Sequence, residues 1–247
     1  MKQKIFITGA ILLLLGLAGW MAFDLFIKDS PPQENTFDYG LTTIREADSV
    51  PHYTEIIPIQ PAVREIRAIA SAPDGKIFVA GKGGVEIFSP RGKTLNRFTI
   101  PGWATCLTVM PDGNLAIGME SHLEIWSPDG IQISVWPQRD SLSLITSVAA
   151  NTGFIYLADA GNKVVLQYDR SGNFLSKIGE KDPHRKIPGF VIPSPYFDLG
   201  ISPSGDLWVV NPGRHKLEMY LPDGSLKKQW GETSFTTEGF SGCCNPS

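Results

Sequence analysis

Short apolar runs alternate with polar turn residues along most of this chain, and one long apolar run precedes them. The long run is Ile5–Phe23, "IFITGAILLLLGLAGWMAF", which carries no charged residue. At a helical rise of about 1.5 Å per residue it would extend about 28 Å, close to the hydrocarbon thickness of a bilayer. The short runs begin near residue 66 and are bounded by Gly, Pro, Asp and Asn. They predict β-strands joined by tight turns.

The short runs recur in the same order in four consecutive segments. Each segment has an apolar run, a Gly turn, a β-rich run such as "KIFVAG", a third run such as "VEIF", a second Gly turn and a fourth run. The first turn contains Gly75, Gly113, Gly153 and Gly205, and the second contains Gly92, Gly130, Gly172 and Gly224. The third run ends in Phe88, Trp126, Tyr168 and Tyr220, and two positions earlier it has Glu86, Glu124, Leu166 and Glu218. We expect the turn glycines to supply the positive φ that tight hairpins need.

Four short strands per segment and a period of about 40 residues predict a β-propeller. The expected fold class is all-β, with four-stranded antiparallel blades at about residues 66–100, 104–138, 145–180 and 196–232. A β-sandwich is the alternative. A sandwich, however, does not require the same turn and the same aromatic position to recur in register four times.

Two stretches, "PDGKIFVAG…VEIFSPRGK" and "FIYLADAGNKVVLQYDRSGNFLSKIG", resemble the NHL-repeat family of six-bladed β-propellers. The resemblance covers about Arg67–Gly231 and is best in the third and fourth segments, which contain "ADAGNKVV" and "NPGRHKLE". It implies six blades around a central channel. It also implies a platform that binds protein, RNA or small molecules and only occasionally works as an enzyme, so it says little about function.

The chain ends in "EGFSGCCNPS", residues 238–247, where a further blade would begin. In propellers that resemble this one, an N-terminal strand commonly joins the last blade and closes the ring, and the strand-like Tyr53–Ile59 suits that role. We therefore interpret residues 52–247 as a β-propeller truncated after about four blades, in a fragment of a longer protein. A four-bladed ring is the alternative, and it would leave the tail as an apolar appendage.

The long apolar run determines the expected location of the protein. Two lysines precede it, which favours a cytoplasmic N-terminus. Residues 1–27 are then a single-pass membrane anchor and residues 28–51 a polar tether, so the propeller lies outside the cytoplasm, in a periplasmic or extracellular space. The expected partner of residues 5–23 is the lipid bilayer. A secretory signal that is cleaved is the alternative, although "LAGWMAF" has large residues where a cleavage site needs small ones.

Charge and composition restrict the class of partner. The formal net charge is −3, and no lysine- or arginine-rich run is present. Such a chain offers no basic surface for a phosphate backbone, so nucleic acid is not an expected partner.

The three cysteines are Cys106, Cys243 and Cys244. Cys106, in the apolar run "TCLTV", is predicted to be a small buried hydrophobic residue. The adjacent pair Cys243–Cys244 has three interpretations: a strained vicinal disulfide, disulfides to distant cysteines, or ligands of a metal or iron–sulfur centre completed by missing sequence. An extracytoplasmic location favours disulfides. No Cys-x-x-Cys accompanies the pair, so no cofactor is predicted, and a divalent metal or iron–sulfur centre is an unsupported alternative.

No catalytic residue is predicted, because the sequence has no H-E-x-x-H, G-x-S-x-G or phosphate-binding glycine motif. Candidate contacts for a ligand or partner come from two places. His122 and His215 both precede a third strand, which would bring them to the same rim of the propeller; two exposed loop histidines are the alternative. The insertion Lys181–Tyr196 contains His184, Arg185 and an exposed-looking Phe190, and long loops on a rigid scaffold often carry recognition; a solvated linker is the alternative.

Weak metal candidates are Asp159 and Asn211, together with the cysteine pair. Some six-bladed propellers are metal-dependent lactonases that use Glu, Asn and Asp at the mouth of the channel, and Asn162 and Asp198 are further rim positions of that kind. Asp159 and Asn162 in "ADAGN" also have a simpler role, which is to hold the turn through bonds from side chain to backbone.

The preferred functional hypothesis is a membrane-tethered scaffold that binds a protein, a peptide or a glycan without catalysis. One alternative is a metal-dependent hydrolase, lactonase or lyase whose ligands lie partly in missing blades. Another is a redox protein that uses the Cys243–Cys244 pair.

Overall fold

The computed structural model describes residues 15–17, 20, 23, 58–233 and 240. Contacts divide the chain into two units, Met1–His52 and Tyr53–Ser247, and the second contains every strand below. Among the described residues no helix is long and apolar enough to cross a membrane. Most of the predicted anchor, the whole tether and the Cys243–Cys244 pair lie outside them.

Fifteen strands in the described part of the chain form four antiparallel sheets. The first sheet has β1 (Arg64–Ser71), β2 (Ile77–Phe88) and β3 (Thr94–Trp103), and the second has β4 (Cys106–Val109), β5 (Leu115–Met119), β6 (His122–Trp126) and β7 (Gln132–Trp136). The third has β8 (Ile145–Ala150), β9 (Phe154–Asp159), β10 (Val164–Asp169) and β11 (Phe174–Ile178). The fourth has β12 (Leu199–Ile201), β13 (Leu207–Asn211), β14 (Lys216–Tyr220) and β15 (Leu226–Trp230). Within each sheet the strands follow chain order.

The first sheet has three strands because β2 runs without a break through two segments of the repeat. Its first half pairs with β1, as in Val79 opposite Ile69, and its second half pairs with β3, as in Glu86 opposite Arg97. In the other sheets these segments are separate strands joined by a short connection. Gly83, with φ +75°, lies between the two halves of β2.

The sheets pack face to face through three apolar clusters. One cluster joins the first and second sheets and includes Ile87 and Leu115. The next joins the second and third and includes Ile125 and Leu157. The last joins the third and fourth and includes Tyr156. The innermost strands β1, β4, β8 and β12 lie side by side in that order. This is the arrangement of β-propeller blades.

The turn glycines mostly adopt the predicted conformation. The second turns have φ +77° at Gly92, +86° at Gly130, +88° at Gly172 and +78° at Gly224, and Gly75, Gly113 and Gly205 are also positive. Gly153 is not among the residues with positive φ, so the expectation is wrong there. In that turn the Asn151 side chain accepts from the backbone N–H groups of Gly153 (2.9 Å) and Phe154 (2.8 Å), which holds a different turn in place.

The recurrent glutamate of the third strand is buried in each sheet that contains it. In the second and fourth sheets the aromatic residue two positions later is its donor. Trp126 Nε1 donates to Glu124 at 2.8 Å, and the Tyr220 hydroxyl donates to Glu218 at 2.6 Å. Asn211 also donates to Glu218 at 2.9 Å. A buried carboxylate needs such donors to offset its lost hydration.

Glu86 occupies this position in the first sheet, where the aromatic residue is Phe88 and cannot donate. Its donors are the backbone N–H of Ala62 (2.7 Å), the guanidinium of Arg97 (2.7 Å) and the hydroxyl of Thr94 (3.3 Å). Burial raises the pKa of Glu86, but these donors outweigh that effect and hold the pKa below its ordinary value. In the first sheet these three donors therefore replace the aromatic donor that Glu124 and Glu218 have.

Candidate functional site

A groove of about 930 Å³ runs along the innermost strands of the four sheets. Residues from β1, β4, β8 and β12 line it, so consecutive blades each contribute one wall. The repeat places aligned residues there: Arg67, Thr105, Thr146 and Phe197 at one position, and Ala68, Cys106, Ser147 and Asp198 at the next. The blades therefore present different side chains to the groove at these two positions.

Two threonines of the groove tie neighbouring blades together. The Thr105 hydroxyl donates to the carbonyl of Ile145 at 2.7 Å, and the Thr146 hydroxyl donates to the carbonyl of Phe197 at 2.5 Å. Each bond joins the innermost strand of one sheet to the start of the next. These hydroxyls satisfy backbone acceptors and so hold the groove in shape.

Ser147 and Asp198 form a polar pair towards one end of the groove. The Ser147 hydroxyl donates to Asp198 Oδ1, and the backbone N–H of Leu199 donates to the same oxygen at 2.8 Å. The Asp198 residue is exposed. The hydrogen bonds from Ser147 and Leu199 both go to Oδ1 of its carboxylate.

Cys106 lines the same groove but is chemically inert at neutral pH. The residue is buried, and burial raises the pKa of its thiol to about 12. A thiol that is not ionised is a poor nucleophile and a poor metal ligand. The predicted role of a small buried hydrophobic residue fits these surroundings.

Opposite charges stand at the two ends of the groove. Arg67, on β1, is exposed and stacks its guanidinium over the Trp103 ring at 4.2 Å from the ring centre, and Lys82 Nζ lies 4.5 Å from that centre. Asp198 lies at the other end, beside Tyr196, whose exposed fraction is 73 %. A ligand that spans the groove would meet a cation at one end and a carboxylate with an aromatic ring at the other.

The two predicted rim histidines make local contacts. His122 Nε2 lies 3.2 Å from a carboxylate oxygen of the buried Glu124. His215 has a left-handed backbone (φ +54°) at the end of the short 3-10 helix Pro212–Arg214, and its Nδ1 lies 3.0 Å from the Thr233 hydroxyl. Neither histidine lines the groove.

The insertion between the third and fourth sheets folds back on itself. Asp182 and Ile187 form an isolated antiparallel bridge, and Asp182 caps the backbone N–H groups of His184 (2.9 Å) and Arg185 (3.1 Å). Both capped residues are exposed, and the Arg185 guanidinium donates to the carbonyl of Asp223 at 2.8 Å. The part of the insertion around His184 is therefore exposed, and a role for it in contacts stays a prediction.

Phe190 differs from its expected exposure and is buried. Its ring packs against Phe197 and Tyr220, with ring centres 4.9 and 5.7 Å apart. It also lies over Gly179, where a side chain would clash with the ring. The insertion thus inserts an aromatic residue into the cluster between the third and fourth sheets, and Phe190 is not available to a ligand.

Asp159 and Asn211 act as equivalent structural caps. Each is the last residue of its second strand and is buried. Asp159 Oδ1 accepts from the backbone N–H of Leu144 at 3.0 Å, and Asn211 Oδ1 accepts from that of Val191 at 3.0 Å. Asn162 donates to Asp159 Oδ2 at 2.9 Å, as a turn-holding role requires. In the part of the chain that the structure describes, no three His, Cys, Asp or Glu side chains converge as metal ligands.

Sequence reasoning named Asp198 as a rim position but missed Arg67, Ser147 and the two threonines. The aligned repeats contained the signal, because these residues occupy the same two consecutive positions of each repeat, within or just before the innermost strand. Polar residues at those positions interrupt runs that are otherwise apolar. Such interruptions mark the channel side of a blade.

Comparison with known proteins supports the fold. No protein-family model and no curated protein matches the chain. A streptogramin B lyase structure aligns with a TM-score of 0.54 at 13% identity, covering 70% of this chain and 57% of that one. The WD40 repeats of RRP9 align with a TM-score of 0.53 at 15% identity, covering 70% and 52%. Hydrazine synthase of Kuenenia stuttgartiensis aligns with a TM-score of 0.52 at 14% identity, covering 72% and 52%.

The chain therefore spans between half and three-fifths of the length of these structures. They confirm the predicted β-propeller built from four-stranded antiparallel sheets. At such low identity the likeness concerns the fold alone. The NHL family and the count of six blades stay predictions.

Proposed function

We propose that this chain is a binding scaffold of the NHL type, whose groove holds a protein, peptide or glycan ligand. The observation that supports this function is the groove itself, with a cation, a carboxylate and an exposed aromatic ring along one continuous surface. Ligand sites on propellers and other rigid folds combine an open concave surface with a few well-placed polar groups. The neighbouring WD40 propellers are consistent with an interaction role.

An enzyme is the second candidate, since a streptogramin B lyase is among the similar structures. That likeness extends to the fold alone. Among the described residues that line the groove there is no histidine beside Ser147, so the Ser147–Asp198 pair has no base there to activate a serine nucleophile. A metal-dependent hydrolase would need ligands from residues beyond those described, and a redox role would depend on Cys243 and Cys244, which are also outside them.

The ligand site is tested with a peptide and glycan array probed by the purified full chain in detergent. The Asp198→Asn variant keeps the shape of the groove and removes its negative charge. We expect it to bind the selected ligands at least about tenfold more weakly, a loss of about 1.4 kcal/mol. Asp129→Asn, at an exposed second turn, is the matched control and should bind like the wild type.

Two results would contradict the scaffold. Array ligands that bind all three proteins equally would place the site elsewhere on the surface. Turnover of lactones or esters by the wild type with added divalent metal would make the protein an enzyme.

We also propose that residues 5–23 anchor the protein in a membrane and place the propeller outside the cytoplasm. The uncharged run and the lysines before it support this location. The test is a fusion of alkaline phosphatase after residue 233, expressed in bacteria. The control is a fusion at the same point of a fluorescent protein that becomes fluorescent only in the cytoplasm. We expect phosphatase activity in the membrane fraction. Activity in the soluble periplasmic fraction would indicate a cleaved signal instead of an anchor. Fluorescence of the control fusion would place the propeller in the cytoplasm and overturn both the anchor and the cleaved signal.

A further inference from the structure

The outermost strand of the second sheet differs from its three counterparts. Strands β3, β7, β11 and β15 each form the outer edge of a sheet within the described residues. At two aligned positions, two residues apart, they carry Leu95 and Arg97, Ile133 and Val135, Leu175 and Lys177, and Lys227 and Gln229. Only β7 has no charged residue at either position or anywhere along its length.

The β7 edge is apolar and open to solvent. Ile133 is 53 % exposed and Val135 is 49 % exposed. They are two residues apart in a strand, so both side chains point to the same face. An edge strand presents unpaired backbone N–H and C=O groups, and natural proteins commonly place a lysine there to prevent pairing with another strand. The edges of the other three sheets have that protection, and β7 lacks it.

We propose that β7 is a self-association edge through which two copies of this chain pair in antiparallel orientation. The two-fold axis passes through Ser134, so that Ile133 of each copy lies opposite Val135 of the other. Cross-strand pairs of β-branched residues of this kind stabilise antiparallel strands. Each copy thereby extends its second sheet by the strands of its partner.

A second copy is the occupant that the charge pattern favours, because a two-fold axis sets the strand against its own copy and β7 has no charge that would be repelled there. On β15 the same pairing would place Lys228 against its own copy, and like charges directly opposite are destabilising. On β3 the same pairing would place Arg97 opposite Leu95 of the other copy, and on β11 it would place Lys177 opposite Leu175. The uncharged β7 is free of these penalties. It is also the outermost strand of its sheet, whereas the groove is lined by the innermost strands, so pairing leaves the groove open.

Disulfide trapping tests the axis directly. Opposed residues of an antiparallel pair have Cα atoms about 4.5–5.5 Å apart, within the range of a disulfide. We expect Ser134→Cys, in the full chain with Cys243→Ser and Cys244→Ser, to form a reducible dimer on a non-reducing gel. The matched control is Ser176→Cys, which has the aligned position on β11 and the same half-buried state. It should stay monomeric.

Sedimentation of the full chain in detergent provides the second measurement. The wild type is expected to dimerise as concentration rises, Ile133→Lys to be monomeric, and Leu175→Lys to dimerise like the wild type. Leu175 is 47 % exposed at the aligned position on β11, so its variant carries the same added charge at an equivalent site.

Three outcomes would overturn the proposal. Cross-linking at residues 134 and 176 alike would indicate random collision. A wild type that is monomeric up to about 1 mM would leave β7 to a different partner or to none. A dimer that survives Ile133→Lys would be built on another surface.

Discussion

At the scale of single residues, the third-strand position shows how one repeat accommodates different buried chemistry. Glu124 and Glu218 have an aromatic donor two residues later, whereas Glu86 takes its donors from Arg97 and the backbone. The third sheet has Leu166 instead, although its aromatic residue, Tyr168, still carries a hydroxyl. The carboxylate and the aromatic donor therefore do not change together from blade to blade.

Tyr220→Phe should destabilise the protein by about 1–3 kcal/mol, because it leaves the fully buried Glu218 with one donor fewer. Burial and then the adjacent carboxylate raise the pKa of Tyr220, so its hydroxyl remains a donor over the ordinary pH range. Urea denaturation of the wild type and variant measures the difference. Tyr168→Phe is the matched control, and its cost should be below about 1 kcal/mol, since position 166 is a leucine and no carboxylate there loses a donor. Equal losses in the two variants would show that the carboxylate plays no part.

The Glu86–Arg97 pair predicts a dependence of stability on pH. The pKa of Glu86 is lowered in the folded protein, so the pair's contribution is complete above the unfolded pKa and is lost as pH falls through the folded pKa. Arg97→Met leaves burial as the main influence, which raises the pKa of Glu86. We expect the variant to be less stable by about 1–3 kcal/mol at pH 7 and the deficit to shrink towards pH 4. Denaturation at the two pH values measures this, and a deficit that is constant with pH would contradict it.

At the scale of elements, the second turn of one blade seats on the outer strand of the blade before it. A Cβ placed on Gly130 would lie 2.6 Å from Phe98, and one on Gly172 would lie 2.7 Å from the Trp136 ring. Phe98 and Trp136 hold the same register on β3 and β7. Glycine is required at this turn position for two reasons: the backbone has a positive φ, and the neighbouring blade leaves no room for a side chain.

Gly172→Ala should therefore cost more than an alanine at a comparable turn. Gly113 has nearly the same backbone, φ +86° against +88°, but nothing within 4 Å of the position of a Cβ. Gly113→Ala should cost about 1–2 kcal/mol for the left-handed conformation alone. Gly172→Ala adds overpacking against Trp136, which typically costs a further ~1–3 kcal/mol. Thermal and urea unfolding compare the two, and equal losses would mean that the ring moves aside freely.

Sequence patterns predicted the elements well where a local rule determined them. Turn glycines and the aromatic that ends the third run located the repeats, because φ and strand alternation are properties of a few neighbouring residues. Phe190 was missed because an insertion has no period from which burial can be derived. The bond between Ser147 and Asp198 joins residues 51 positions apart on different blades, so only the packing of the sheets brings them together.

At the scale of the whole molecule, each blade depends on its neighbours, and the first sheet has a substitute for a preceding blade. A Cβ on Gly92 would lie 3.0 Å from Ile59, as the aligned glycines approach Phe98, Trp136 and Ile178. Ile59 thus occupies the place that an outer-strand residue takes at every other boundary. The sequence predicts that the segment containing Ile59 joins the last blade and closes the ring, and the position of Ile59 against the first sheet is consistent with that prediction.

Ile59→Ala is expected to weaken the first sheet and leave the fourth unchanged. Ile59 is half-buried, so we expect a loss of about 1–2 kcal/mol, below the range for a fully buried isoleucine. In an array of blades joined by neighbour contacts, such a loss acts first on the adjacent unit. Amide hydrogen exchange in β3 should then accelerate about 5- to 30-fold, while exchange in β14 stays at its wild-type rate. Ile131→Ala, at a side chain that is 65 % exposed, is the control and should change neither sheet. If β3 kept its protection in the Ile59 variant, the segment would be an appendage to the first sheet, and the proposed closure of the ring would lose its support.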